Sequence, residues 1–532
     1  MNDSPQPNAA APTPKNDNDR QQLVFGLVGA IGTKLDRAVT ELKSILNIYG
    51  FEAEEVALSD AIRMVPKYAD VGERRTLAYY ERMIRGGDEI CSDLSDEAAL
   101  ADAAMAMIRS RRKPGIKTAF ILRSLKRPQE IERLRGVYGG MFYAIGVFAD
   151  KTEREKRLAR LASEDPSDRD GTGREGASRL VEIDANERGR GGQKVSDTFA
   201  QVDCVIRSDN QDEIRKALDR FVSLVFKKPH ITPTISEVAM MQAYVAGLRS
   251  ADLSRQIGAV AVARDGRVLV TGCNEVPRGG GGQYWESDID DRRDFKLGHD
   301  INDRKKRDAI VELIAHIKHL FRAEFDVESA TTLYERLADA RTLEGTTIDS
   351  LIEFGRVSHA EMSAITSAAL GGIVLRDCDL YTTTFPCHMC TRLIIATGIR
   401  NVFYIEPYPK SAAVQMYGNG EIVVNPLLTP SQLEDRLFKA HVCDNRTHFI
   451  PFDGVAPRRY AELFAKTRSK DKKEGSVLDF VPTTAKPRRT PEFTVTYESA
   501  ETYLANRWTE RLEMLRQKAK ENAPPIPGEE SP

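Results

Sequence analysis

The sequence predicts an α/β protein with two large domains, an N-terminal domain on a parallel sheet and a C-terminal three-layer α/β/α domain. Residues 23–28 form a buried-strand pattern that passes through a glycine turn into an amphipathic helix. Residues 118–122 and 142–148 repeat the buried-strand pattern. Residues 379–384 form another strand pattern, and 387–397 follow it as a helix. Strands that alternate with helices are typical of α/β folds.

Length and composition indicate a cytoplasmic protein. The chain has 532 residues, which is enough for two to four domains. A formal net charge of −2 gives no sign of a general polyanion-binding surface. Seven cysteines without a secretory signal do not indicate a disulfide framework. The apolar runs are too short to span a membrane, so we expect no membrane partner.

Composition and motifs divide the chain into four parts. Residues 1–20 are rich in Asn, Pro, Ala and Asp, and we expect them to be disordered. Domains at 21–228 and 229–465 follow, and the second contains an insertion at about 282–356. Residues 466–532 form a basic linker and a C-terminal helix. The linker is either a contact for RNA or a neighbouring subunit, or an ordinary soluble linker.

The turn after the first strand resembles a phosphate-binding P-loop. Strand, glycine turn, lysine and helix follow in that order, so Gly29, Gly32, Thr33 and Lys34 are candidate nucleotide-binding residues. A complete motif has four residues between the glycines and lysine directly after them, whereas this turn has two, and Thr33 precedes Lys34. The glycines could also serve packing alone. We predict that the turn binds a nucleotide or phosphate for control, such as a nucleoside triphosphate with Mg²⁺. Because Arg123 stands where a magnesium-binding acid is expected, we predict little hydrolysis.

His359, Cys387 and Cys390 are candidate metal ligands. A Cys-x-x-Cys pair by itself is also typical of a redox pair or of half a structural zinc site, and a single histidine of an ordinary core position. A structural site needs four protein ligands, and no second cysteine pair lies nearby. Three ligands leave one position open for water, and Glu361 is then free to move protons as the catalytic acid and base. With Pro386, the pattern resembles the zinc deaminase signature, which implies Zn²⁺.

The segment upstream of this pattern bears on the substrate. Residues 257–262 and 267–272 flank an Asp-Gly turn and predict a β-hairpin, which leads into a G-x-N-x-x-P-x-G run. With the HAE triplet and the 381–404 stretch, residues 235–410 resemble the deoxycytidylate deaminase family. The resemblance implies a five-stranded mixed sheet, a free deoxycytidine nucleotide as substrate, and Asn274 near its sugar. Asn274 could instead only shape a turn.

Three cations are candidates for binding the substrate phosphates. Arg255 precedes the hairpin, and Arg292 and Lys296 lie in the insertion. They could equally be surface charge, and the sequence does not choose between these roles. His316 and His319 are three residues apart without a further ligand, which favours a solvated helix face over a second metal site.

Residues 21–228 resemble a P-loop kinase with an altered phosphate loop, and its fusion to a deaminase-like domain resembles the antiviral cytidine deaminases of bacteria. This resemblance implies conversion of dCMP and dCTP to dUMP and dUTP, which depletes nucleotide pools in antiphage defence. It also implies a homo-oligomer such as a hexamer and, as in some members, inhibition by a small RNA. Two alternatives stay open. One is a deaminase of polynucleotides, which should show a basic, aromatic groove. The other is a nucleotide-sensing P-loop switch with an accessory deaminase domain.

Overall fold

The computed structural model describes most of the chain, in several separate ranges. The described residues are 22–70, 76–163, 173–185, 195–208, 211–320, 329–340, 342–343, 346, 348, 351–408, 411–424, 445–465, 479–488 and 497–521. The predicted disorder of residues 1–20 and most of the predicted basic linker therefore lie outside the described residues.

Strands occur throughout the described residues. They are β1 (Gln22–Val28), β2 (Glu52–Ala57), β3 (Thr118–Leu125), β4 (Phe142–Phe148), β5 (Cys204–Arg207), β6 (Gly258–Val262), β7 (Val268–Cys273), β8 (Asp379–Thr384), β9 (Asn401–Glu406), β10 (Ile422–Val424), β11 (Thr447–Pro451) and β12 (Gly454–Val455).

Helices connect most of these strands. They are α1 (Leu35–Ile48), α2 (Leu58–Arg63), α3 (Leu77–Asp93), α4 (Ala99–Arg111), α5 (Pro128–Tyr138), α6 (Lys151–Ser163), α7 (Gly173–Ala185), α8 (Val195–Phe199), α9 (Gln211–Val225), α10 (Ile235–Gly247), α11 (Asp294–Leu297), α12 (Ile301–Leu320), α13 (Ala330–Asp339), α14 (Ala360–Leu370), α15 (His388–Thr397), α16 (Ala413–Tyr417), α17 (Pro457–Phe464) and α18 (Tyr497–Glu521). Within the described residues, none of these helices combines the length and the apolar character that crossing a membrane requires.

The chain forms two compact units. The first comprises the described residues up to Thr232 together with those from Asp453 onward, and the second is Pro233–Phe452. The sequence-based division placed the boundary at 465 instead. Residues 453–465 lie in the first unit because β12 pairs antiparallel with β5, and because Val455 and Leu463 join the apolar core of that unit.

The first unit is built on one sheet with the strand order β12-β5-β4-β1-β3-β2. All pairs in it are parallel except β12 with β5. β1 lies in the middle and is buried along its whole length, as a parallel strand covered on both faces should be. The strands predicted at 23–28, 118–122 and 142–148 are confirmed as β1, β3 and β4.

The second unit contains a mixed sheet with the order β10-β11-β9-β8-β6-β7. The predicted hairpin is confirmed, since β6 and β7 pair antiparallel around the turn at Gly266, whose φ of +85° favours glycine. β8, β9, β11 and β10 are mutually parallel. The expectation of five strands is wrong by one strand because β10 adds to β11 and buries Ile422. The predicted α/β class is confirmed, with parallel pairs dominating both sheets.

Helix α18 is fixed to the first unit by buried ion pairs. Glu501 is fully buried, and its carboxylate accepts hydrogen bonds from Arg112 at 2.6 and 2.7 Å and from the Tyr138 hydroxyl. One turn and a half further on, Arg507 pairs with Asp102, which is also fully buried. These contacts join residues that are 363 to 405 positions apart in the chain.

We predict that Arg112→Ala lowers the free energy of unfolding by about 3–5 kcal/mol, because it leaves the buried Glu501 carboxylate without a counter-charge. Lys518→Ala is the control, since the Lys518–Asp93 pair also joins α18 to the first unit but is about half exposed. The control should cost about 1 kcal/mol or less. Urea unfolding of both variants gives the comparison, and equal losses would contradict the buried-pair argument.

Candidate functional site

Two helix starts position the side chains that the sequence singles out. His359 is the residue before the first turn of α14, and Glu361 lies within that turn, almost fully buried. Cys387 holds the equivalent place before α15, where its sulfur accepts a hydrogen bond from the Cys390 backbone N–H at 3.5 Å. β8 leads into α15 through Phe385 and Pro386. Unpaired N–H groups and the helix dipole at such starts favour negative charge, including thiolates.

The structure brings His359, Cys387 and Cys390 together. His359 Nδ1 lies 3.2 Å from Cys387 Sγ and 3.5 Å from Cys390 Sγ. One ligand atom from each residue lies within 4.8 Å of the others, and within the described parts of the chain no other group of histidine, cysteine or acidic residues meets this criterion. Cys387 and Cys390 are both buried, so their sulfurs are shielded from bulk water.

These three residues fit zinc. Tetrahedral zinc with its usual bonds to nitrogen and sulfur separates two ligand atoms by about 3.6 Å, which is close to both distances from His359. One imidazole nitrogen and two thiol sulfurs are also the types of ligand atom that zinc prefers. The hydrogen bond from Cys390 and the neighbouring His359 lower the pKa of Cys387 against the effect of burial, while the same hydrogen bond and burial raise the pKa of Cys390.

The same neighbours shift the pKa values of His359 and Glu361. Burial by itself lowers the pKa of His359, but the hydrogen bond and charge of Cys387, with the charges of Glu361 and Asp252, raise it above its ordinary value. Burial raises the pKa of Glu361, and the charge of Cys387 adds to this while His359 opposes it. A carboxyl with a raised pKa accepts and returns protons more easily near neutral pH.

Glu361 makes only long contacts with its neighbours. Its Oε1 lies 3.5 Å from the Thr382 hydroxyl, and its Oε2 lies 3.4 Å from Cys390 Sγ. Thr382 is fully buried on β8 and also donates to the Thr384 carbonyl at 3.2 Å. The carboxylate is therefore held beside the ligand group without a strong ion pair among the described residues that would fix its charge.

Helix α14 lies unusually close to β7, and Gly272 makes this possible. A Cβ at Gly272 would lie 2.3 Å from the Ala360 carbonyl oxygen and 2.4 Å from the Ala364 nitrogen. Real side-chain carbons do not approach backbone atoms so closely, so the helix would have to move. The position of His359 and Glu361 therefore depends on a glycine in the neighbouring strand.

Glu275 fixes the chain just before His359. Its backbone exchanges hydrogen bonds with Ser358 at 3.1 and 3.0 Å. Its buried carboxylate accepts from the N–H groups of Ala251 and Val276, both at 2.9 Å. Ser358 precedes the histidine directly, so these contacts limit the positions that the His359 ring can take.

Asn274 is buried and shapes a turn. Its side-chain oxygen accepts from the Ile257 N–H at 2.7 Å, and its amide nitrogen donates to the Arg255 carbonyl at 2.7 Å. These bonds hold the chain that enters β6 beside the chain that leaves β7. The contacts of this side chain thus support the alternative that Asn274 shapes a turn. Its contact with a substrate stays a prediction.

The three cations named for substrate phosphates contact acidic or aromatic side chains. Arg255 is half exposed and its Nη1 lies 3.6 Å from Glu406 Oε2, which also accepts from the Thr384 hydroxyl at 3.1 Å. Arg292 is largely exposed and pairs with Asp290 at 2.7 Å. The Lys296 ammonium lies 5.2 Å from the centre of the Phe295 ring. These contacts do not involve His359, Cys387 or Cys390, and a role of the three cations in phosphate binding stays a prediction.

The insertion between β7 and α14 contributes helices rather than a second metal site among the described residues. His316 on α12 is exposed, and its ring nitrogen lies 3.9 Å from Glu312. His319 lies on the same helix and belongs to no ligand group in the part of the chain that is described. The predicted solvated helix face is confirmed for His316.

The glycine turn between β1 and α1 binds a side chain of its own protein. The Ile31 N–H donates to Asp184 Oδ2 at 2.7 Å, and Lys126 Nζ donates to Asp184 Oδ1 at 2.7 Å and to the Gly29 carbonyl at 3.0 Å. Gly32 has a φ of +82° and would place a Cβ 2.9 Å from Arg154. Thr33 is buried, and Lys34 directly precedes α1 and is partly exposed.

Sequence reasoning missed Asp184, Lys126 and Thr382. Asp184 lies 153 residues from Ile31, so no local pattern connects them. Thr382 lies on the predicted strand, but the alternation of faces along a strand does not show which face lies toward Glu361. Its contact with Glu361 depends on how α14 crosses β8, which the sequence does not encode locally.

Residues 233–406 match the family model of the cytidine and deoxycytidylate deaminase zinc-binding region. A probable deoxycytidylate deaminase of Drosophila melanogaster is 47% identical over 97 residues, which are 18% of this chain and 42% of that protein. ComE operon protein 2 of Bacillus subtilis (strain 168) is 40% identical over 53 residues, which are 10% of this chain and 28% of that protein. The chain thus spans less than half the length of either of these relatives.

One similar solved structure is that of the dCMP deaminase from the cyanophage S-TIM5 in complex with dCMP and dUMP. It is 15% identical, and the match covers 42% of this chain and all of that chain with a TM-score of 0.21. The match to the zinc-binding region contains His359, Glu361, Cys387 and Cys390, so the residues that meet in space all lie inside it.

We predict that Gly272→Ala displaces α14, lowers the free energy of unfolding by about 1–3 kcal/mol and reduces bound zinc, because the added methyl meets backbone atoms that cannot rotate away. Gly279→Ala is the matched control, since a Cβ there meets nothing within 4 Å. Metal analysis together with urea unfolding checks both variants. Full zinc content in Gly272→Ala would show that the close approach does not position the site.

Proposed function

We propose that the second unit is a zinc-dependent deaminase that hydrolyses free deoxycytidine nucleotides, converting dCMP and dCTP to dUMP and dUTP with release of ammonia. The observation that carries this proposal is the meeting of His359, Cys387 and Cys390 beside the buried Glu361. Three ligands with one open position are typical of catalytic zinc, whereas structural sites use four. The match of residues 233–406 to a deaminase zinc-binding region supports the same activity.

In this proposal His359, Cys387 and Cys390 hold the zinc. Zinc in such a site lowers the pKa of bound water from about 15.7 to about 7 and so supplies the nucleophile at neutral pH. Glu361 would take one proton from the attacking water and give it to the cytosine ring nitrogen. It would then take the second proton from the same oxygen, now bonded to the ring carbon, and pass it to the amine as the C–N bond breaks and ammonia leaves. The burial and the raised pKa of Glu361 suit a group that both accepts and returns protons. Thr382 and Cys390 lie beside the two oxygens of this carboxylate, at 3.5 and 3.4 Å.

The proposed substrate is a free 2′-deoxynucleotide. The printed names of the Drosophila and cyanophage proteins refer to deoxycytidylate or dCMP, which supports this class. Asn274 near the sugar and Arg255, Arg292 and Lys296 near the phosphates remain proposals. Of these, Arg255 is the best placed, because Glu406 connects it to Thr384 at the end of β8, two residues beyond Thr382.

The first unit is proposed to be a P-loop kinase-like domain that controls the deaminase. A central parallel strand that enters helix α1 through a glycine turn supports this assignment. Gly29, Gly32, Thr33 and Lys34 are its proposed nucleotide-binding residues. Binding of a nucleoside triphosphate with Mg²⁺ at the turn stays a prediction, and it requires Asp184 to leave the Ile31 N–H.

At the level of the whole protein, we propose a cytoplasmic homo-oligomer, such as a hexamer, that depletes deoxycytidine nucleotides during phage infection. Control by a small RNA is part of this proposal. The whole-protein proposal rests on the presence of a glycine-turn unit and a deaminase-like unit in one chain. It concerns the whole protein, whereas the chain spans only part of each relative's length.

We predict that Glu361→Gln retains zinc and the folded state. Its rate of deamination should fall by about 10²- to 10⁴-fold, because the amide cannot carry protons. Glu335→Gln is the control, since Glu335 is exposed on α13. A cytidine nucleotide assay combined with metal analysis gives both readouts. Near-normal turnover in Glu361→Gln would refute the proposed mechanism.

The metal assignment has its own prediction. Cys387→Ala should lose zinc and lose stability, because binding of the metal contributes to the free energy of folding. Cys378→Ala is the matched control, since this cysteine is equally buried but lies outside the ligand group. Equal zinc content in the two cysteine variants would exclude His359, Cys387 and Cys390 as the zinc site.

The substrate prediction is tested in cells. Expression of the protein should raise dUMP and drain dCTP, while the Glu361→Gln variant should leave both pools unchanged. Mass spectrometry of nucleotide pools measures these changes. Sequencing for cytosine-to-uracil changes in DNA and RNA strands measures the alternative. Unchanged pools with uracil in existing strands would favour the polynucleotide deaminase instead.

A further inference from the structure

A hydrogen bond outside the ligand group joins the two chain segments that carry the proposed zinc ligands. His388 Nε2 lies 3.0 Å from Glu353 Oε1. An ionised carboxylate can only accept, so the imidazole N–H is the donor. Glu353 lies six residues before His359, and His388 directly follows Cys387 as the first residue of α15. The bond therefore connects the histidine segment to the cysteine segment without using a ligand atom.

The Glu353 carboxylate is held on both of its oxygens. Its Oε2 accepts from the backbone N–H of Ile352 at 2.8 Å, which leaves Oε1 for His388. Burial by itself raises the pKa of Glu353, but backbone N–H groups and the hydrogen bond of His388 lower it below its ordinary value. The carboxylate is therefore charged at neutral pH. A hydrogen bond to a charged acceptor is roughly twice as strong as one between neutral groups.

The other hydrogen bonds of the segment 351–358 run to different parts of the second unit. They reach α12, the first part of the insertion and the chain after β7, through the pairs Leu351 with Asn302, Arg356 with Asp294, and Ser358 with Glu275. Among the hydrogen bonds that the described residues of this segment make, that of Glu353 is the one that reaches α15. The link between the two ligand segments outside the metal site thus depends on this pair.

Apolar packing holds the same segment against the core but does not set its exact position. Ile352 packs against the apolar cluster of the second unit that includes Cys387 and Cys390. Hydrophobic contact is non-directional, so it tolerates sliding of one surface over another. A hydrogen bond weakens steeply when its angle changes, so the bond between Glu353 and His388 restricts the sliding that packing allows.

Exposure of the pair indicates a local role. The side chain of His388 is 21% exposed and that of Glu353 is 41% exposed. Pairs with this exposure contribute little to the stability of a whole fold. Helix α15 is held in place by its own buried residues Cys390, Thr391 and Ile394. The fold of the second unit therefore does not require the pair, and its effect should be confined to the two segments that it joins.

A metal site made from two segments needs those segments to stay together whenever one ligand lets go of the metal. A bond that keeps them adjacent raises the effective concentration of the released ligand at the metal. The ligand then rebinds before the metal escapes. Groups outside the ligand set are known to change the affinity of metal sites by orienting the ligands.

We propose that the Glu353–His388 pair retains the zinc by holding the His359 segment against the start of α15. Both are positioning residues, because neither is a ligand in the group of His359, Cys387 and Cys390. The proposal rests on the zinc site of the proposed function and adds the contact that keeps its two ligand segments together while the metal exchanges.

Release of zinc from the full-length chain to an excess of a chromophoric chelator tests this role. We expect Glu353→Ala to release zinc about 3- to 5-fold faster than the wild-type chain, the upper range for a pair of this exposure. Glu353→Gln should release zinc at an intermediate rate, because its side-chain carbonyl still accepts from His388 without the charge. Equal release from the wild-type chain and Glu353→Ala overturns the proposal.

A double-mutant cycle shows whether the two side chains act together. His388→Ala should speed zinc release by a factor similar to that of Glu353→Ala. The variant with both substitutions should release zinc no faster than either single variant, because each substitution removes the same bond. If the two effects multiply, or if His388→Ala alone changes the release, the residues act separately and the proposal is wrong.

Glu312 and His316 on α12 supply the matched control. They form a pair of the same chemistry, 3.9 Å apart and exposed on both sides. Glu312→Ala and His316→Ala should leave zinc release unchanged. The melting temperature of the metal-free chain should change by less than about 2 °C in Glu353→Ala. A larger loss in the metal-free chain would show that the pair stabilises the fold instead, and that result also overturns the proposal.

The outcomes separate this proposal from the deaminase function. If the wild-type chain holds zinc and deaminates dCMP while the variants at Glu353 and His388 release zinc at the wild-type rate, only the role of the pair fails. If these variants release zinc faster but the wild-type chain deaminates no cytidine nucleotide, only the deaminase function fails. A wild-type chain that holds no zinc would overturn the metal assignment, and the role of the pair with it.

Discussion

The candidate site depends on the close contact between α14 and β7 at Gly272. That contact fixes the start of α14, which positions His359 and Glu361, against the sheet that also delivers Cys387 through β8. Because β6 lies between β7 and β8 and pairs with both, the two helix starts are held at a set distance across the sheet. A metal site that draws on two helices needs this rigidity, since ligand atoms must stay within a few tenths of an ångström of their positions.

Helix starts also solve an electrostatic problem in this site. Two thiols and a carboxylate are buried within a few ångströms of one another, which is costly if all three carry negative charge. The unpaired N–H groups at the starts of α14 and α15 and the nearby His359 offset part of that cost. A bound divalent cation would offset the rest, so the same arrangement that is unfavourable in isolation becomes favourable once zinc is present. Burial of Glu361 without a strong partner is consistent with a group retained for chemistry.

Much of the site could be predicted from the sequence because its key elements are local. The pair Cys387 and Cys390 lies within one helical turn, His359 and Glu361 lie within another, and the hairpin at Gly266 needs only its two flanking strands. Strands β1, β3 and β4 were evident from short apolar runs. Such patterns depend on neighbours a few residues apart, which single-sequence reasoning can read.

The remaining features could not be predicted because they depend on contacts between distant parts of the chain. β12 joins the sheet of the first unit across about 250 residues, and β10 extends the second sheet as a three-residue strand without a distinctive pattern. The role of Asn274 was ambiguous because asparagine suits turns and ligands alike, and only its bonds to Ile257 and Arg255 show the turn. The contact of Asp184 with the glycine turn likewise follows from where α7 packs.

Glu361 and Asp184 show how the surroundings of a buried carboxylate indicate its use. Asp184 accepts a 2.7 Å bond from a backbone N–H and another from a lysine, so its position is fixed. Such a group stabilises one arrangement of the glycine turn. Glu361 has contacts of 3.4 and 3.5 Å and lies beside a ligand group whose charge changes with what it binds. The carboxylate with weak partners is therefore the one suited to proton transfer, and the carboxylate with strong partners is the one suited to hold a loop.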